Sequence, residues 1–236
     1  MRALVSEISI LRLDSVAFSV APHAWPFARA RSAESAAYFA ARRAQTPALW
    51  NGRMLLLREW SITAGGMRGT FFETDFANYM AWRDWGFPDA TVTNCFAMGV
   101  IRSADGAYLL GVMGAHTANA GKIYFPAGLP DPSDVAGGTV DLAANIGREV
   151  AEETGLTDAD LSVQPGWSAV FTGARIALMQ VLQARAPAVE LRARLLDHIA
   201  REARPELASI RIVKSRADFD PMMPPFVTVY LEQALG

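Results

Sequence analysis

The stretch from Asp141 to Gly155 constrains this chain most, because it reads as a helix with both ends marked. Asp141 stands where an N-cap accepts the first free amide donors, and Gly155 where helices commonly end in the left-handed region. Between them, Glu152 and Glu153 follow Glu149 by three and four residues, so a helix over Leu142–Thr154 projects all three carboxylates to one side. Carboxylates so spaced repel by a few tenths of a kcal/mol per pair, and the macrodipole at the C-terminal end also disfavours them. A positive group should be bound there, and hard oxygen ligands select Mg2+, Mn2+ or Ca2+. An acidic run alone is most often a solvated helix face, so its surroundings decide between the two.

Those surroundings alternate strand and helix. Upstream, Ile8 to Val20 and Arg53 to Ile62 read as strands and Ser32 to Ala44 and Thr74 to Trp85 as helices, with Ala64-Gly65-Gly66 turning into Arg68 to Glu73. A Gly-Phe-Pro-Asp break at residues 86–89 precedes two strand-like runs, TVTNCFAMGVIR and AYLLGVM, joined by Asp105-Gly106. Downstream, Trp167 to Thr172 and Arg175 to Leu182 read as strands, Val189 to Ala203 as an amphipathic helix, and Ile210 to Val213 as a short strand. Pro224-Pro225 starts a last helix to about Ala234. This order predicts an α/β protein in which residues 1–88 form an N-terminal α/β extension, a pocket wall or a dimerisation element, and residues 89–236 carry the glutamate helix. Trp50, Trp60, Trp82 and Trp85, with Phe71, Phe72, Phe76 and Tyr79, are dense enough to fill the extension's core or a subunit interface.

Composition narrows the function classes. With 236 residues, 51% of them hydrophobic and 19% charged, the chain has the balance of a protein folded throughout. A net charge of -2 offers no field for bulk nucleic acid. Cys95 is the only cysteine and lies in an apolar run, so it is expected to be buried, and neither a disulfide nor a cysteine zinc site is available. The N-terminal MRALVSEISILRLDSVAFSV is interrupted by Glu7, Arg12 and Asp14, which favours a strand over a signal peptide. No run approaches the ~18 apolar residues of a membrane span, and a soluble, cytoplasmic protein is expected.

The chemistry is carried by residues 148–156, REVAEETGL. This run matches the distal half of the Nudix box, Arg-Glu-apolar-any-Glu-Glu-any-Gly-apolar, at every specified position. Upstream, Phe125-Pro126-Ala127-Gly128 is similar to that family's Phe-Pro-Gly-Gly strand end, with Gly128 at the glycine that opens the box. The resemblance covers roughly Val92 to Leu182. It implies an α/β/α sandwich with a mixed sheet and a hydrolase that uses Mg2+ or Mn2+ to cleave a diphosphate linkage in a small nucleotide substrate. By position, Glu149, Glu152 and Glu153 would be both the catalytic carboxylates and the metal ligands, with the Gly128 carbonyl completing the metal sphere. Glu149 would also orient or deprotonate the water, and Arg148 would be structural, pairing with a carboxylate of the cluster.

The chain departs from the box in two places. Nineteen residues separate Gly128 from Arg148, and the position of the box's first glutamate is Val140. Asp141, one place on, either replaces that glutamate or caps the helix. LPDPSDVAGGT, residues 129–139, is then a loop insertion whose Asp131 and Asp134 either form turns or reach the metal. LLGVMGAHTANAGKIYFPAG is also loosely similar to the signature of coenzyme A diphosphatases, which makes a coenzyme A-like or nucleotide-sugar-like substrate an expectation. His116, Phe125 and Arg175 are the expected substrate-binding residues, the first and last with packing or strand-flanking roles as the alternative. His23 and His198 are expected in surface or core roles. The competing functional reading is a nucleotide-binding or regulatory module that hydrolyses weakly.

Overall fold

In the computed structural model, which describes residues 8–236, the chain opens with β1 (Ser9–Leu13), β2 (Ser15–Val20), α1 (Pro26–Ala30), α2 (Ser32–Gln45), β3 (Arg53–Thr63), β4 (Gly66–Asp75) and α3 (Phe76–Asp84). It continues through β5 (Asn94–Arg102), β6 (Tyr108–Met113), β7 (Ile123–Tyr124), β8 (Val135–Ala136), β9 (Thr139–Val140) and α4 (Leu142–Thr154). The last part holds β10 (Leu161–Val163), β11 (Trp167–Thr172), β12 (Arg175–Ala184), α5 (Ala188–Arg201), β13 (Leu207–Val213) and α6 (Pro225–Leu235). The part of the N-terminal strand expectation that falls on residues 1–7 lies outside the described residues.

The larger sheet runs β1-β11-β12-β5-β6-β13, with β10 on β12 and β7 on β6. Its central pair, β5 and β12, is parallel, and the other pairs are antiparallel. A central strand covered on both faces needs apolar residues at consecutive positions. β5 meets that demand, being buried from Asn94 through Ile101 with Cys95 among its core residues. The two faces are covered by different helices. A side chain at Gly99 would point at Val150 and Ile146 of α4, whereas Phe96 meets Phe226 of α6 edge-on at 5.4 Å. Positions 96 and 99 have opposite parity along the strand, so α4 and α6 lie on opposite faces and the layers are α/β/α.

The second sheet, β3-β4-β2-β9-β8, joins chain segments from both sides of the 88/89 division. β8 and β9 come from the inserted segment, and β9 pairs with β2. In return, β1 lies on β11 of the larger sheet. The expected single strand from Ile8 to Val20 is therefore two strands that serve different sheets. The chain changes sheet at Asp14, whose amide donates to the Gly65 carbonyl at 2.7 Å. Asp14 and Ser15 are both exposed at the switch, and the inward positions shift from Leu13 to Val16, Phe18 and Val20. The aromatics between residues 50 and 85 are mostly core: Phe71, Phe72 and Trp82 are fully buried, while Trp50 remains exposed. Among the described residues, no helix is long and apolar enough to cross a membrane.

Candidate active site

Helix α4 is held from beneath. Leu142, Ile146 and Val150 face the sheet and are buried; each contributes about 1.5–3 kcal/mol by burial, against a few tenths per carboxylate pair opposing it. The Gly99 backbone lets α4 sit close on β5. A Cβ at that position would lie 2.6 Å from the Val150 Cγ2 atom. Asp141 caps the helix by accepting from the amides of Ala143 at 3.1 Å and Ala144 at 2.9 Å, and Gly155 closes it at φ 70. The position of the absent first glutamate, Val140, is a buried residue of β9.

On the outer side of α4 the three glutamates occupy three environments. Glu152 is exposed, with 63% of its side chain in solvent, whereas the Glu149 side chain retains 13% and Glu153 is buried. Burial raises the Glu149 carboxyl to about 7, with Arg148 acting against the shift and Glu152 and Glu206 adding to it. Glu153 is pushed well above the ordinary carboxylate range, first by burial and then by Glu206 and Glu149. Its Oε1 accepts a long bond from the Ala127 amide at 3.4 Å, and its Oε2 is buried with no hydrogen-bond partner. Gly128, the next residue, passes so close to Glu149 that any side chain there would overlap the carboxylate.

Arg148 is fixed at two ends. One guanidinium nitrogen donates to Glu149 at 2.7 Å and the other to Asp134 at 3.0 Å, with Glu152 at 3.8 Å from the first. Asp134 is a buried hub rather than a turn-forming residue alone. It also accepts from Asn145 Nδ2 and the Asp131 amide, each at 3.0 Å. Asp131 does form the turn, accepting from the Ser133 amide at 2.6 Å. The inserted segment is thus not only loop: it holds a 3-10 turn over Pro132–Asp134 and the β8–β9 hairpin, and it clamps Arg148.

Glu206, which the sequence reading missed, belongs to this neighbourhood. Its carbonyl accepts from the Gly114 amide at 2.7 Å as β13 approaches β6, and its own carboxyl is raised by partial burial. His116, in the loop after β6, is close enough to Glu206 to oppose that shift, so the structure brings His116 to the acidic side of the site. Phe125 is different. It is fully buried, edge-on to Tyr230 at 5.8 Å and to Tyr108 at 6.3 Å, which leaves it no face for a ligand. Arg175 opens β12, and its guanidinium carbon lies 4.5 Å from the centre of the Phe87 ring. His198 approaches the Glu152 carbonyl at 3.0 Å and Glu202 at 2.9 Å, bracing the end of α4 from α5.

Among the described residues, no three His, Cys, Asp or Glu side chains stand together as a ready-made metal site. Glu149 is engaged by Arg148 and Glu152 points outward. The donor chemistry nevertheless suits a hard divalent cation, because the set offers only carboxylate and carbonyl oxygens and leaves one buried carboxylate oxygen of Glu153 unpartnered.

No family model matches the chain, and no curated protein does. Among solved structures, it is similar to the Nudix hydrolase RenU from M. Smegmatis, with a TM-score of 0.38 and 17% identity over 59% of this chain and 80% of that one. The MutT protein from Methanosarcina mazei Go1 gives 0.41 and 18% over 60% of this chain and 92% of that one. A mutant of the Bacillus subtilis pyrophosphohydrolase BsRppH gives 0.36 and 14% over 63% and 83%. At that level of similarity, the functional reading rests on the chain's own residues.

Proposed function

We propose that the chain is a Nudix-type hydrolase that cleaves a diphosphate linkage in a nucleoside diphosphate derivative, with Mg2+ or Mn2+ held by Glu149, Glu152, Glu153 and the carbonyl of Gly128. One observation carries this reading: two desolvated carboxyls, Glu149 and Glu153, sit on the box helix with raised pKa and an unpartnered oxygen on Glu153. A helix face kept only for solubility has no reason to bury them.

When bound, the cation neutralises phosphate oxygens and lowers the barrier to in-line attack by water on phosphorus. The chain supplies the rest. Arg148, gripped by Asp134, orients the Glu149 carboxylate. Glu149, held by Arg148 beside Gly128, is placed to take a proton from the attacking water at a carboxylate oxygen. The glycine at 128 lets the backbone pass close beside the Glu149 carboxylate.

The second reading, a nucleotide-binding module that turns over slowly, is favoured by one observation: Val140 is a core residue and Asp141 is committed to capping, so the first box carboxylate has no replacement there. A phosphate-release assay separates the two. The panel is ADP-ribose, dinucleoside polyphosphates, NADH, coenzyme A, nucleotide sugars and nucleoside triphosphates, each with Mg2+ and with Mn2+. Metal-dependent turnover of a diphosphate-linked member supports the hydrolase. Binding without turnover across the panel supports the module.

A further inference from the structure

A second polar cluster lies where β5 and β12 begin. Asn94 and Arg175 are paired in the parallel register, so their side chains leave the same face of the sheet. The Arg175 guanidinium covers the Phe87 ring, and among the described residues it has neither a hydrogen bond nor an ion pair. Partial burial holds its pKa below the usual guanidinium range, and Arg83 pushes the same way. Arg83 itself donates to Asp84 at 2.7 Å, and Asp84 also accepts from the Tyr38 hydroxyl at 2.7 Å. One carboxylate, Asp84, therefore acts on both guanidinium groups, and among the described residues the cluster keeps an excess positive charge.

Asn94 adds an independent signal. It is 3% exposed, its Nδ2 donates to the Tyr79 hydroxyl at 3.0 Å, and its Oδ1 has no partner. The two ends of an amide exchange places without a change of shape. With them exchanged, Tyr79 donates to Oδ1 and a buried N–H group is left open beside Arg175. With its guanidinium carbon over the Phe87 ring and no hydrogen-bond acceptor among the described residues, Arg175 keeps an N–H fork free to meet two oxygens of one anion. The cluster also adjoins the glutamate site: Tyr124 is affected by both Glu153 and Tyr79, and Leu129, beside Gly128, packs against the aromatic cluster that includes Tyr79.

We propose that Arg175 and Asn94, framed by Tyr79 and Phe87, bind a phosphoryl group, and that this is a phosphate of the substrate presented to the neighbouring glutamates. The second half rests on the hydrolase reading; the phosphate site itself does not.

The test titrates inorganic phosphate into the full chain in EDTA, followed by calorimetry and by the fluorescence of Trp82, which lies edge-on to Phe87 at 4.7 Å. The expected result is saturable binding of phosphate, with acetate much weaker. Arg175→Met should weaken it by roughly tenfold or more, the loss of a charge-assisted pair, and Arg175→Lys by less. Glu153→Gln should leave it unchanged, and a thermal melt verifies that each variant is folded. No binding by the unmutated chain, equal binding by folded Arg175→Met, or loss confined to Glu153→Gln would overturn the proposal. Phosphate binding through Arg175 in a protein that hydrolyses nothing would keep the site and discard the hydrolase.

Discussion

Two glycines near α4 make opposite predictions from one substitution. At Gly99 a new methyl group would lie 2.6 Å from Val150 Cγ2 and 3.0 Å from both Ile146 Cγ2 and Leu182 Cδ1. Two of those neighbours are β-branched side chains on the buried face of α4, so they have few rotamers into which to retreat. Overpacking of this kind costs about 1–3 kcal/mol, and the roughly 0.4–1 kcal/mol gained by stiffening the unfolded chain offsets only part of it. Gly147 lies on the exposed side of the same helix with nothing within 4 Å of the position a methyl would take. There, Gly→Ala should stabilise by about 0.8–1 kcal/mol through helix propensity alone. Urea denaturation of the metal-free protein should therefore move its midpoint down for Gly99→Ala and up for Gly147→Ala. Because Gly99→Ala lifts the helix that carries the glutamates, it should also reduce the rise in Tm on adding Mg2+, while Gly147→Ala leaves that rise intact. A Gly99→Ala variant as stable as the parent would refute the close seating of α4 on β5, and with it the positioning of the site.

Other expected outcomes follow from the charges. A carboxyl that titrates near 4.5 when unfolded and about 7 when folded stabilises fully below the first value and loses that contribution as pH rises through the second. For Glu149 the total is roughly 3 kcal/mol, with about 2.5 of it between pH 5 and 8. Metal-free stability should fall across that window, because the carboxyls held low, such as Asp84, Asp89 and Asp160, lose their contributions only in more acid solution; urea curves at four pH values check it, and a flat profile contradicts it. Asp134→Ala should cost about 1–3 kcal/mol, since it strips Arg148, Asn145 and the Asp131 amide of a buried acceptor. It should also lower kcat more than it raises KM, as a positioning residue would, which steady-state kinetics with the best panel substrate will read. Shortening residues 129–139 to a tight turn should reduce stability as well as change selectivity, because β9 is paired with β2; a melt and the substrate panel measure the two effects.

What the sequence made legible was local. The caps of α4 are side-chain and backbone signals within a few residues, and Asp141 and Gly155 occupy those roles in the structure. The apolar run of β5 marked a strand buried on both faces, and Cys95 lies in that core. What escaped depended on distant pairing. No local pattern shows that the two halves of the Ile8 to Val20 run pair with β11 and with β4, or that β8 and β9 will find β2. Two-residue strands carry too little periodicity to be read. Asp134 looked like a turn residue because Pro, Ser and Asp surround it. The clue lay in α4, where polar Asn145 falls on the buried stripe with Leu142 and Ile146 and so requires an inward partner. Glu206 had no clue at all, since only the pairing of β13 with β6 brings it to the site.

The central claim, that the carboxylates of α4 hold a catalytic cation, is tested most directly with Glu153→Gln. The protein is melted in EDTA and again with Mg2+ or Mn2+, and phosphate release is followed with the best panel substrate. The substitution replaces a carboxyl whose ionised form is disfavoured by burial, and whose Oε2 has no partner, with a neutral amide of the same shape, so the metal-free protein should be as stable as the parent or more so. Hydrolysis should nevertheless fall sharply, and the metal-induced rise in Tm should shrink. A Glu153→Gln protein that keeps most of its metal-dependent hydrolysis and its full rise in Tm would contradict the account.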